Sequence, residues 1–161
     1  MQGKAADEDE MVVGMDNGTV DFSRQLSRLI VHLNRMRKRF MNERLRGYDL
    51  GGALYMFLTA LDHNPGASQD FLVNHFYMDK GNVARGAKKL ENLGYIRRET
   101  DPEDRRQYRL YLTDEGRELL PTIRSYIQEW CGYLTEGMSE EEGEAAIRLL
   151  TRMAENGTKH F

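Results

Sequence analysis

The chain has 161 residues, 40% of them apolar and 30% charged, with a formal net charge of -3 and a single cysteine. That length fits one domain with helical extensions, and the composition is that of a globular chain able to bury a core rather than a disordered or fibrous one. No run reaches the ~18 consecutive apolar residues of a membrane span. Cys131 alone can form neither an intramolecular disulfide nor an all-cysteine zinc site. The acidic start MQGKAADEDEM lacks the basic and apolar regions of a secretory signal. A cytoplasmic protein is expected.

The charge is segregated along the chain. Residues 1–19 carry Lys4 against five acids, and residues 20–46 carry eight basic residues against Asp21 and Glu43. Residues 68–112 hold nine basic and seven acidic residues, and residues 113–161 five and ten. An acidic total limits unspecific adhesion to nucleic acid, while the basic segments can still present a local field to a polyanion.

In chain order, residues 1–19 read as a flexible acidic tail, and residues 20–161 as a single domain. A helix is predicted from Val20–Ser23 to about Arg46, ended by Gly47. Phe22, Leu26, Leu29, Leu33, Met36 and Phe40 step along it by three and four, the seam of a helix that meets a second helix or a second subunit. Leu54, Phe57, Leu58 and Leu61 define a core-facing helix between Leu50 and His63. HNPGAS breaks the chain. Ser68 then caps a short helix with Phe71, Leu72, His75 and Phe76 on one side. Asp79 caps another with Val83, Ala87, Leu90 and Leu93 inward, and the Tyr77–Met78 joint between them makes a helix-turn-helix.

Gly94 closes that helix in a left-handed conformation. Two strands follow, about Tyr95–Glu99 and Gln107–Leu112, joined through DPED with Asp and Pro at the first two positions of a type I turn. Thr113 caps a helix with Asp114 and Glu115 in its first turn and Pro121 expected to kink it. Gly137 interrupts, and Ser139 with Glu142 forms a capping box for a last helix carrying Ala145, Ala146, Leu149, Leu150 and Met153. The predicted class is mostly α with a small β-hairpin wing. It comprises a winged helix-turn-helix core at about residues 50–113 plus terminal dimerisation helices at about 20–46 and 114–156.

Candidate functional residues cluster on the second helix of the pair and on the hairpin. With Val83, Ala87 and Leu90 inside, Lys80, Gly81, Asn82, Arg85, Lys88, Lys89 and Asn92 face outward. Lysine and arginine suit phosphates and guanine edges, and asparagine can pair with adenine, so Asn82 and Arg85 are the candidate base readers of duplex DNA. Gly81 lets the helix end come close to a backbone. By itself such a face is more often simply solvated; the hairpin reverses the balance. Arg105 and Arg106 at its tip can enter a narrow minor groove. Asp101, Glu103 and Asp104 are expected to hold one of these arginines structurally while the other touches DNA, with nothing to decide which. Cys131, beside Trp130 and Tyr133, reads as a packed small hydrophobe rather than a sensor. The four histidines have no metal spacing, and no nucleophile elbow, phosphate loop or HExxH is present, so neither an enzyme nor a metal or other cofactor is expected. Tyr48, Tyr55, Phe57, Tyr126, Trp130 and Tyr133 lie at helical spacing, which makes them core before it makes them a pocket.

The segment DPEDRRQYRLYLTDEG, residues 101–116, resembles the wing signature of the MarR (multiple antibiotic resistance regulator) family. That pattern, Asp-x-Arg-x-x-x-apolar-x-Leu-Thr-x-x-Gly, is matched by Asp104, Arg106, Leu110, Leu112, Thr113 and Gly116. KKLENLGYIRRE is similar to the family's exit from the recognition helix into the wing, and the helix order fits over residues 20–156. The resemblance implies a homodimeric transcriptional regulator, usually a repressor, that binds a palindromic operator and is released by a small anionic or aromatic effector. Gly81 and Asn82 depart from the hydroxyl residues many relatives carry early in that helix, so no operator sequence carries over. The first-helix cysteine of peroxide-sensing relatives is absent. The alternative is a helix-turn-helix scaffold that binds a protein or small molecule and never touches DNA; such a scaffold would not need arginines on the groove face.

Overall fold

A computed structural model of the chain describes residues 22–51 and 53–160; the tail expected at residues 1–19 lies outside the described residues. The order of elements is α1 (Phe22–Arg44), a 3-10 turn (Arg46–Tyr48), α2 (Leu54–His63), β1 (Ala67–Ser68), α3 (Gln69–Phe76), α4 (Lys80–Asn92), β2 (Ile96–Thr100), β3 (Tyr108–Leu112), α5 (Asp114–Leu134) and α6 (Glu140–Thr158). Two compact units divide at Met36–Arg37. Of the first, the described part is the amino-terminal stretch of α1, where Phe22, Leu29, Ile30, Val31, Leu33 and Met36 are all exposed.

The second unit holds the core. Leu58 and Leu61 of α2, Leu72 of α3, Val83, Ala87 and Leu90 of α4, Ile96 of β2, Leu110 and Leu112 of β3, and Ile123 of α5 form one buried cluster with Met41, Leu45 and Leu50. Each fully buried leucine contributes about 2 kcal/mol relative to leaving it in water. All four anticipated caps form. The side chains of Ser68, Asp79, Thr113 and Ser139 accept from the N–H groups of Phe71, Asn82, Gly116 and Glu142, each worth about 1 kcal/mol. At Ser139 the capping box is complete, because Glu142 accepts the Ser139 N–H at 2.8 Å.

The sheet has three strands in the order β1-β3-β2, all antiparallel, not the two expected. Ala67 and Ser68 pair with Leu110 and Arg109. Two residues are too few to show the alternation that marks a strand in sequence. Their pairing is set up by Gly66, whose positive φ of 82° turns the chain and whose N–H donates to the Leu110 carbonyl at 2.9 Å. In the β2–β3 hairpin, Ile96 pairs with Leu112 and Thr100 with Tyr108.

Two boundaries differ from expectation. α1 stops at Arg44, before Gly47, and the chain reverses at Asp49, which takes a left-handed φ of 55°. Leu50 is buried but precedes α2, which starts at Leu54, so the helix begins four residues later than the expected span from Leu50. α5 spans Asp114–Leu134 with Pro121 inside it, where proline has no N–H to give the helical ladder.

Candidate nucleic-acid interface

α3 and α4 form the helix-turn-helix. Tyr77, between them, is exposed and sits at a left-handed φ of 51°. That is the C-cap position of α3, with its N–H returned to the Val73 carbonyl. α4 exits through Gly94 at φ 79°, where the Tyr95 N–H reaches back to the Leu90 carbonyl at 3.0 Å. These bonds are those of a Schellman ending, which turns the chain sharply out of the helix. The angle between α4 and the hairpin is therefore set by local backbone chemistry as well as by the core.

With Val83, Ala87 and Leu90 buried, Lys80, Gly81, Asn82, Arg85, Lys88, Lys89 and Asn92 are all exposed on α4. Their partners differ. The Lys80 ammonium lies 2.9 Å from Asp70 of α3, and that of Lys88 lies 2.9 Å from Glu91. Both pairs are open to water, so they cost little to exchange for a phosphate. Arg85 donates to the side-chain oxygen of Asn82 at 2.5 Å, and Asn82 in turn bonds Asp79 through both its main-chain N–H and its side-chain amide. Glu91 also faces Arg98 of β2, with its carboxylate 3.3 Å from the largely buried Arg98 Nε. The hydrogen bond from Lys88, followed by the charge of Arg98, holds the Glu91 carboxyl below its usual range. One carboxylate thus ties the end of α4 to the first strand of the wing.

At the wing tip the acids act differently from expectation. Asp101 does not hold Arg105 or Arg106. Its carboxylate accepts from Arg109 Nε at 2.9 Å and Nη2 at 3.3 Å, and from the Glu103 N–H at 2.8 Å. Asp104 accepts from the Arg106 N–H at 3.0 Å and from the Gln107 side-chain amide at 3.1 Å. The closing turn bond runs from the Gln107 N–H to the Asp104 carbonyl at 2.9 Å, with Asp101 and Gln107 joined at the base. The register pairs Arg109 with Glu99 and so leaves its side chain within reach of Asp101, two residues further on, while nearby N–H groups donate to Asp101 and Asp104. Among the described residues neither Arg105 nor Arg106 has an ion pair, and both are exposed. The expectation that one of the two is held structurally is not met; both guanidinium groups project into solvent.

The Asp101–Arg109 clamp is the feature that sequence reading missed. The sequence offers Asp101 as a turn residue and as a partner for Arg105 or Arg106, and only the hairpin register joins it to Arg109. The hydrogen bond from Arg109 and those from the loop backbone lower the Asp101 carboxyl below its ordinary 3.8. A depressed carboxyl contributes in full above its ordinary pKa and is lost as pH falls through the folded value. Wing order should therefore be intact at neutral pH and fail only below about pH 3.8. In Asp101→Asn it should be weakened at every pH. Amide hydrogen exchange at Glu103, Arg106 and Gln107 measures this; equal protection in the variant at neutral pH would remove the clamp from the account.

Two other expectations change. Cys131, read as packed, is exposed in the chain, because one residue on from buried Trp130 the helix has turned about 100° away from the core. Of the aromatics weighed for a pocket, Tyr55, Phe57 and Trp130 are buried. Phe40 packs on Trp130 at 5.6 Å and on Tyr133 at 5.9 Å, with the Arg44 guanidinium 5.2 Å over the Phe40 ring.

A helix-turn-helix followed at once by a two-stranded wing, with basic side chains exposed on both, defines a winged helix-turn-helix protein of the DNA-binding regulator class. The family model "MarR family" matches residues 48–107. A MarR transcriptional regulator from Methanosarcina mazei Go1 superposes with a TM-score of 0.83 at 30% identity, over 86% of this chain and 99% of that one. The "Transcriptional regulator HosA" of Escherichia coli O111:H- is 33% identical over 109 residues, 65% of this chain and 78% of HosA. The "HTH-type transcriptional regulator BilQ" of Clostridioides difficile (strain CD3) is 29% identical over 125 residues, 78% of this chain and 84% of its own. The chain belongs to the MarR family of transcriptional regulators. Among the described residues no helix is long and apolar enough to cross a membrane.

Proposed function

We propose that the protein is a homodimeric repressor that binds a palindromic operator, with α4 in the major groove and the wing in the minor groove. In this reading a small aromatic or anionic effector releases the protein from DNA. The observation that carries the DNA contact is the pair of free wing-tip guanidinium groups, Arg105 and Arg106, presented by the same hairpin that Glu91 ties to the exposed basic face of α4. Arginine without an internal partner, held on an ordered turn, meets a phosphate or a narrow groove with little rearrangement. Dimer formation is supported by the exposed apolar seams of α1 and α6, and two-fold symmetry then matches two half-sites about one helical turn apart. Family membership is what supports the repressor sign and the effector. The aromatic cluster of Phe40, Trp130 and Tyr133 under Arg44 has the chemistry such an effector would use.

Titration of an inverted-repeat DNA from beside the gene, by fluorescence anisotropy at several salt concentrations, tests the reading. Affinity should fall steeply with salt. Arg85→Ala and Arg106→Ala should each weaken binding by about 10-fold to 100-fold, and the Arg106 variant should also flatten the salt dependence. Unchanged affinity in both variants would leave the scaffold reading in its place.

A further inference from the structure

Gly81 and Asn82 are the two positions at which the recognition helix departs from expectation, and the structure gives both a single physical role. The Asp79 carboxylate spends one oxygen on the Asn82 main-chain N–H at 2.8 Å and the other on the Asn82 side-chain amide. A carboxylate can only accept and a guanidinium can only donate. The orientation of the Asn82 amide is therefore forced: its NH2 faces Asp79 and its oxygen faces Arg85, which donates to it from Nη2 at 2.5 Å. Position 81 lies alongside this chain of contacts. A Cβ there would be 3.2 Å from Asp79 Oδ1 and 3.3 Å from Arg85 Nη1, so glycine leaves the relay its space.

We propose that Asp79 and Asn82 are positioning residues that aim Arg85 at a guanine, so that Arg85 reads the base and Asn82 does not. The proposal rests on the DNA-binding reading above and adds the base read and the residues that set it. Asp79 and Arg85 each engage one end of the Asn82 amide and leave it one N–H and one lone pair, so an adenine contact would have to fit the orientation that these two bonds already fix. Arg85 spends one N–H on Asn82 and keeps four, enough for the two-bond contact to O6 and N7 of guanine. Ordering an arginine side chain costs rotamer entropy, and here the relay meets that cost before DNA arrives. Held at both ends, Asn82 is better suited to orienting its neighbour than to replacing it.

Selection of bound sequences from randomised half-sites tests this with the full-length wild type, Arg85→Ala, Asn82→Ala and Asp79→Ser. Serine keeps the helix cap, since its hydroxyl can accept the Asn82 N–H, but has no second oxygen for the amide. The wild type should prefer guanine at one position of each half-site by about 10-fold or more. Arg85→Ala should erase that preference. Asn82→Ala and Asp79→Ser should reduce it several-fold, measured within each variant as the ratio of guanine to the other bases, while the other positions of the half-site are still selected as in the wild type, an outcome that a purely structural role would not give. Full guanine preference in both relay variants would overturn the proposal. So would loss of an adenine preference in Asn82→Ala with the guanine preference intact. If the wild type enriches no sequence, the DNA-binding reading itself fails and this one with it.

Discussion

Gly116→Ala is expected to cost the protein about 3 kcal/mol of stability, at the upper end of what overpacking a core position costs. A methyl group at position 116 would lie 2.1 Å from the Tyr95 carbonyl oxygen, deep inside van der Waals contact. The carbonyl cannot retreat. It accepts the Thr113 N–H at 3.1 Å, and Thr113 is fixed in turn by its hydroxyl, which donates to the Gly94 carbonyl at 2.6 Å and caps α5 through the Gly116 N–H. Alanine is the better helix former by about 1 kcal/mol, but that gain is smaller than the clash. For a chain of this size the melting temperature should drop by about 6–12 °C at fixed protein concentration. Operator binding should fall as well, because the strained contact lies where α4, the wing and α5 meet. Thermal unfolding followed by circular dichroism decides it: a variant that melts with the wild type would mean that α5 can shift freely on the wing, contrary to the packing described.

In the homodimer proposed above, Leu150→Glu should separate the subunits and lower operator affinity by about 100-fold or more. α6 has no buried residue, and Ile147, Leu149 and Leu150 are 69%, 50% and 60% exposed. A stable 19-residue helix with its apolar stripe in water is a surface awaiting a partner. A second copy of this chain carries the same stripe, as a two-fold interface requires. Glutamate there would place a carboxylate in the centre of that interface while touching nothing in the single-chain core. Loss of the dimer removes the gain from engaging two half-sites on one DNA, commonly a factor of about 100 to 10,000. Sedimentation should report the 18.7 kDa chain, with the far-ultraviolet spectrum kept. A variant that still sediments as a dimer and binds with wild-type affinity would exclude this face from the interface.

Much of the architecture was legible because its determinants are local. The caps at Ser68, Asp79, Thr113 and Ser139 act over three residues, the left-handed exit at Gly94 follows from having no Cβ, and the inward set Val83, Ala87 and Leu90 follows from the helical period. The Leu-Thr-x-x-Gly run that marked the family is physically a cap and a close approach. Thr113 supplies the oxygen for α5, and Gly116 supplies the space under the Tyr95 carbonyl. Signals of that kind can be read one window at a time.

What the sequence determined by itself, then, is the order of helices and strands, the family, and which residues of α4 and the wing face outward. What only the tertiary structure decided is which charges meet. Asp101 joins Arg109 through the hairpin register, Glu91 joins Arg98 across the α4–β2 junction, and β1 exists because the Gly66 turn lays two residues against β3. The reason is common to all three: a carboxylate or a two-residue strand has several partners within reach along the chain. Only the folded backbone sets the distances that choose among them, as it did in leaving Arg105 and Arg106 free.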